Sequence, residues 1–164
     1  MNELINKISS YNIFNYLLPG VIFAIFADYL FHYSFIQHDI ITGSFLYYFI
    51  GLVVSRFGSL ILDPILKRFS IIHFANHDDF IAASDKDVKL EVLSEVNNMF
   101  RTLCSLFGLL LLIGLYSALK TRLAISREWD LRILIPLLFS LFMYAHRKQT
   151  IYITNRIVQR LKGI

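Results

Sequence analysis

The strongest constraint on this chain is the gathering of its apolar residues into runs nearly as long as a bilayer is thick. The clearest run is Leu103 to Leu119, which contains LFGLLLLIGLY. A helix needs about 20 mainly apolar residues to cross the hydrocarbon core. Two further stretches approach this length, 13–35, with LLPGVIFAIFADYLF, and 40–62. A fourth, 131–145, is short and carries Arg132 near its start. It requires a thin bilayer, a snorkelling Arg132 or shelter from its neighbours. Apolar residues make up 56% of the 164 and charged residues 17%, whereas soluble domains carry about a quarter charged residues. The predicted fold is all-α: one membrane domain over 1–164, a four-helix bundle whose long third helix extends into the cytoplasm.

Orientation follows from Lys and Arg, which accumulate on the cytoplasmic side. With the N-terminus inside, the inner regions hold eleven of them: Lys7, Lys67, Arg68, Lys86, Lys89, Arg101, Arg147, Lys148, Arg156, Arg160 and Lys162. The outer regions hold three, Lys120, Arg122 and Arg127, while Arg56 and Arg132 fall within spans. This bias predicts a multi-pass protein of a plasma membrane with both termini cytoplasmic. It also accounts for the net charge of +4 without direct binding of nucleic acid. The N-terminal run reads as a retained first span, because Pro19-Gly20 interrupts it and no A-x-A cleavage site follows. The single cysteine, Cys104, excludes an intrachain disulfide and reads as a buried small hydrophobe.

The stretch 63–102 is then cytoplasmic. Asp63-Pro64 is expected to bend or end the second span, because proline lacks an N–H and disfavours helix in the residue before it. A short amphipathic piece, Ile65 to Phe74, follows, and 75–83 reads as a loop. Ser84, with Asp87 three residues later, resembles a capping box in acidic form. From there one helix of more than thirty residues is expected to run into the third span. Along it Val92, Val96, Met99, Leu103, Leu106 and Leu110 recur at alternating four- and three-residue steps, a heptad-like seam that needs a partner. In the tail, 147–164, Ile153, Ile157 and Leu161 form a stripe. Arg156, Arg160 and Lys162 lie off it and, with Lys67 and Arg68, suit contact with lipid headgroups or a partner. The tail either continues the fourth helix or lies along the inner leaflet.

Ionisable side chains inside a span are costly and need partners or water. Asp28 and His32 lie one turn apart in the first span; Arg56 and Asp63 share a face of the second. Antiparallel packing could bring Arg56 towards Asp28, giving a polar path. Otherwise Asp28 and His32 sit at the outer interface, and Arg56 snorkels inward or ties helices together. Gly51, Ser55 and Ser59 form a small-residue row that permits close approach of helices, within the chain or between copies. His73, His77, Asp78 and Asp79 read as a solvated loop rather than a metal site, since no third ligand is evident and H-E-x-x-H is absent. Phosphate-binding glycine loops and nucleophile elbows are absent as well, so the chain reads as non-enzymatic and without a cofactor.

YNIFNYLLPGVIF (Tyr11 to Phe23) and HRKQTIYITNRI (His146 to Ile157) resemble small bacterial membrane proteins of antiphage defence loci. They are similar to the membrane subunit of Kiwa-type systems, which acts with a cytoplasmic DNA-binding partner. The resemblance covers the two ends and the four-span layout and carries over no catalytic residue. The small-residue row, the seam and the basic cytoplasmic face read as an oligomeric inner-membrane assembly protein that docks a cytoplasmic partner, and the resemblance implies that it senses envelope disturbance and passes it to that partner. The alternative function is a pore or membrane-disrupting effector with Asp28, His32 and Arg56 lining a path and Pro19-Gly20 as its hinge. A small transporter is disfavoured, as no inverted repeat is visible.

Overall fold

The computed structural model describes residues 11–84, 87, 89–124, 126 and 128–161, without the side chains of 77, 78, 81, 82, 128, 159 and 160. Among these residues the fold is helical and contains no strand. Its elements are α1 (Ile13–Phe31), α2 (Ile40–Arg68), α3 (His77–Ser84), α4 (Lys89–Arg122) and α5 (Glu128–Leu161). Helices α1, α2 and α4 are long and apolar enough to cross a membrane. They pack together around Phe23, Ala27, Val54, Leu106 and Leu110. Their outward faces stay apolar, with Ile25, Phe26, Leu111 and Leu115 exposed, as suits helices surrounded by lipid tails.

Helix α1 ends at Phe31, short of the expected 35, where His32 adopts a left-handed conformation (φ 56°) and its N–H bonds the Asp28 carbonyl. Asp39 then caps α2 by accepting from the Thr42 N–H at 2.7 Å. The resulting hydrogen bond holds the Asp39 carboxyl below its ordinary pKa.

Asp63-Pro64 does not end α2. The helix widens into a π turn over Gly58–Leu62, closed by the Asp63 N–H bonding the Gly58 carbonyl, and then continues to Arg68. Helix α1 meets Pro19 in the same way, with a π turn over Ile13–Leu17. Proline would clash with the carbonyl four residues back in a regular α-helix. A wider turn moves that carbonyl aside, so each helix absorbs its proline without breaking.

Pro19-Gly20 is therefore a packing feature rather than an open hinge. A Cβ on Gly20 would overlap the Tyr47 carbonyl, and one on Gly51 would overlap the Tyr16 carbonyl. These reciprocal contacts bring the antiparallel backbones of α1 and α2 together. Thus Gly51 is used within the chain, and so are Ser55 and Ser59, which are buried.

Two local expectations change beyond α2. The piece read as Ile65 to Phe74 is helical only to Arg68; Phe69 caps it and Ser70 turns the chain with φ 56°. The stretch read as a loop contains helix α3, His77–Ser84. Helix α4 then starts at Lys89, whose N–H bonds the Asp87 side chain at 2.9 Å. Asp87 thus accepts at this start from the N–H two residues on. Residues 85, 86 and 88 lie outside the described residues.

Helix α4 is one rod of 34 residues. Its seam divides: Leu106 and Leu110 enter the core and Met99 and Leu103 are half-buried, but Val92 and Val96 remain 49% and 40% exposed. Cys104, expected to be buried, is exposed, since it points away from the face that meets α1 and α2.

Helix α5 also has 34 residues and carries Pro136 in its interior. It continues through the tail, so Ile153, Arg156, Ile157 and Leu161 belong to one helix and are exposed. The Arg160 side chain and Lys162 lie outside the described residues. At its start Asp130 accepts from Tyr116 at 2.7 Å and pairs with Lys120 at 2.5 Å. Further along, Phe142 meets Phe49 at 6.0 Å, and Lys148 donates to the Ser59 carbonyl at 2.6 Å. Helix α5 thus runs antiparallel to α4 and along α2, from one end of the three-helix core to the other.

Candidate functional site

A stripe of polar residues on α4 meets polar residues at the N-terminal end of α1 and the C-terminal half of α2. Thr102, fully buried, places its Oγ1 2.9 Å from Asn15 Oδ1, 2.8 Å from the Asn98 carbonyl and 3.4 Å from Ser55 Oγ. A hydroxyl has one proton and two lone pairs, so it donates to one acceptor while Ser55 donates to it. Tyr11 completes the node by accepting from Asn15 Nδ2 at 3.1 Å and from Asn98 Nδ2 at 3.4 Å. Three helices are thereby joined through buried Asn15, Ser55 and Thr102, a setting in which an unmade bond is expensive. Burial raises the Tyr11 pKa, and neighbouring Tyr16 adds to this, whereas Arg101 and Arg56 pull it down.

Beside the node opens a cleft of about 860 Å³ between α1, α2, the 69–76 loop, α3, α4 and α5. Four cations line it, Arg56, Lys67, Arg101 and Lys148, against one carboxylate, Asp63. Arg101 Nη1 pairs with Asp63 at 3.4 Å, while its Nε is buried without a partner. Lys67 lies over the Phe74 ring at 4.3 Å. Among the described residues, no carboxylate lies within ion-pairing distance of Arg56, Lys67 or Lys148. Phe80, Leu93 and Tyr152 give the cleft an apolar wall.

Lys148 is placed by the backbone rather than by an opposite charge. In the π turn the Asp63 N–H serves the Gly58 carbonyl. The next bond in that pattern, from residue 64 to the Ser59 carbonyl, is missing because Pro64 has no N–H. Lys148 fills the vacancy, reaching that carbonyl at 2.6 Å. Burial is the largest influence on its ammonium and pushes its pKa below the ordinary lysine value. Asp63 opposes this, whereas Arg101, Lys67 and Arg56 add to it.

The structure therefore unites Arg56 and Asp63 with Ser55, Ser59 and Lys67 on one cleft. It does not bring Asp28 and His32 there. The Tyr16–Gly51 and Gly20–Tyr47 contacts set Arg56 level with Tyr11, about 25 Å along α1 from Asp28 at 1.5 Å per residue. The expected reach of Arg56 towards Asp28 does not occur, because the glycine crossing fixes the register. Arg68 is exposed on the last turn of α2. The side chains of His77 and Asp78 lie outside the described residues, and no metal-binding group occurs among those that are described.

Sequence reasoning singled out neither Asn15, Asn98, Arg101 and Thr102 nor Lys148 as site residues. A signal was available for α4: Asn98, Arg101, Thr102 and Ser105 fall on one helical face beside the apolar seam. For Lys148 none was, since its acceptor exists only through the π turn in another helix. Comparisons with protein-family models, with curated proteins and with solved structures find no match to this chain.

Proposed function

We propose that this chain is a non-enzymatic assembly protein of a bacterial inner membrane that oligomerises and docks a cytoplasmic partner through the projecting part of α4. The observation that carries this reading is the division of the α4 seam. Its second half is consumed by the core, whereas Val92, Leu93, Val96 and Phe100 remain exposed on a rigid rod beyond it. An apolar helical face outside the membrane is stable only when another helix covers it. With α5 as the fourth crossing, the bundle closes and both termini lie in the cytoplasm. The stretch of α5 between its Asp130 and Lys148 anchors rises about 27 Å, close to the roughly 30 Å of a hydrocarbon core. The resemblance of the two chain ends supports a role in antiphage defence, with the bundle sensing envelope disturbance and α4 passing it inward.

Two measurements test this. In a Cys104→Ser background, Asp39→Cys is expected to react with an impermeant maleimide on intact cells, and Ile71→Cys and Thr150→Cys only after permeabilisation. Labelling of Thr150→Cys from outside would remove the fourth crossing. Val96→Asp is expected to convert an oligomer on native gels to monomer without changing the labelling pattern. A wild-type chain that already runs as a monomer would defeat the assembly reading.

A further inference from the structure

The cationic cleft has no described anion equal to its charge. Four positive side chains from α2, α4 and α5 line it with one carboxylate, and that carboxylate is engaged by Arg101. Arg101 Nε is desolvated and unbonded, and Lys148 is held by a neutral carbonyl. Like charges gathered in a partly dry space repel one another, and the repulsion is relieved when a multivalent anion enters. The donors also suit the anion. Guanidinium groups match the paired oxygens of a phosphate, ammonium groups add charge, and Ser59, Asn97 and Asn98 supply neutral polar groups at the same wall.

We propose that this cleft is a binding site for a phosphate group, held principally by Arg56, Arg101 and Lys148. Two sources present that chemistry. One is the headgroup of an anionic phospholipid, since basic pockets between helices at the cytoplasmic surface recognise such headgroups. The other is a soluble phosphate compound entering from the cytoplasm. The lipid source rests on the membrane reading above, whereas the site itself does not. The cysteine labelling judges the membrane reading separately.

The test uses the full chain purified in a neutral detergent. Thermal unfolding is followed with short-chain phosphatidylglycerol, with short-chain phosphatidylcholine, and with inorganic phosphate or ATP. Saturable stabilisation by phosphatidylglycerol but not phosphatidylcholine assigns the lipid. Saturable stabilisation by inorganic phosphate or ATP, reversed by chloride at high concentration as screening requires, assigns the soluble source. In either case Arg56→Gln with Lys148→Gln is expected to weaken binding at least tenfold. Lys120→Gln, at the opposite end of the core, is expected to leave it unchanged. Both variants spare the Arg101–Asp63 pair, and a cooperative melt without ligand shows that each is folded. Equal response to both lipids with no response to phosphate overturns the proposal, and so does binding that the double variant leaves intact.

Discussion

The α1–α2 crossing and the cleft at its lower end are held together in opposite ways. At the crossing, Gly20 and Gly51 let backbone meet backbone, and no side chain intervenes. At the cleft the helices are spaced apart and linked by side chains: Thr102 to Asn15, Arg101 to Asp63, Lys148 to Ser59. Lipid gives helices little hydrophobic reason to associate, so close packing and interhelical hydrogen bonds do that task. The crossing uses the first means and the cleft the second. One region is consequently rigid in shape, while the other leaves room for a ligand.

Five substitutions sharpen or break this contrast; four run in falling order of effect, and the exposed Leu112 serves as the control for Leu106. Gly51→Leu drives a side chain into the Tyr16 carbonyl and is expected to cost about 3 kcal/mol or more, read from unfolding in mixed detergents. A loss below about 1 kcal/mol would show that the crossing is not closed. Leu106→Ala empties a position that is 0% exposed and is expected to cost about 2–5 kcal/mol. Leu112→Ala, 51% exposed on the same helix, is expected to stay within about 0.5 kcal/mol, and equal losses would contradict the assigned α4 face.

Thr102→Val removes the hydroxyl at the centre of the polar node and is expected to cost about 1 kcal/mol. Hydrogen exchange should rise at Asn15 and Ser55 together, and a change confined to α4 would dissolve the node. The smallest effect concerns Lys148. Its folded pKa lies below the ordinary value, chiefly through burial. In the window just below 10.5 the unfolded chain therefore binds more protons than the folded one, and stability rises with pH. Lys148→Met is expected to flatten this rise in melting curves taken between about pH 8 and pH 10.5. An unchanged slope would mean that the ammonium is not buried in solution.

Much of the architecture was legible because apolar run length and helical periodicity are local properties of a chain. The Leu103 to Leu119 run announced a helix that continues from Lys89 to Arg122. The small-residue row was visible too, but not its use, because only the register of α1 against α2 places Gly51 on Tyr16 rather than on another copy. Asp63-Pro64 met the same limit. A proline predicts a missing hydrogen bond, but whether the helix breaks or widens depends on what can satisfy the vacant carbonyl. Here Lys148, far along the chain, satisfies it. Asp28 and Arg56 showed the same limit, since sharing a bundle does not set their relative depth.

The sequence by itself determined that the chain is helical, that three of its helices are long and apolar enough to cross a membrane, and that cations concentrate at one side of its expected topology. These follow from residue types and their spacing along one helix at a time. Tertiary structure alone decided that α4 spends half its seam on the core, that α5 returns along α2, and that Arg56, Lys67, Arg101 and Lys148 share a cleft. Each depends on the vertical register between helices, which the Gly20 and Gly51 contacts set and which a repeating apolar pattern leaves free to slide.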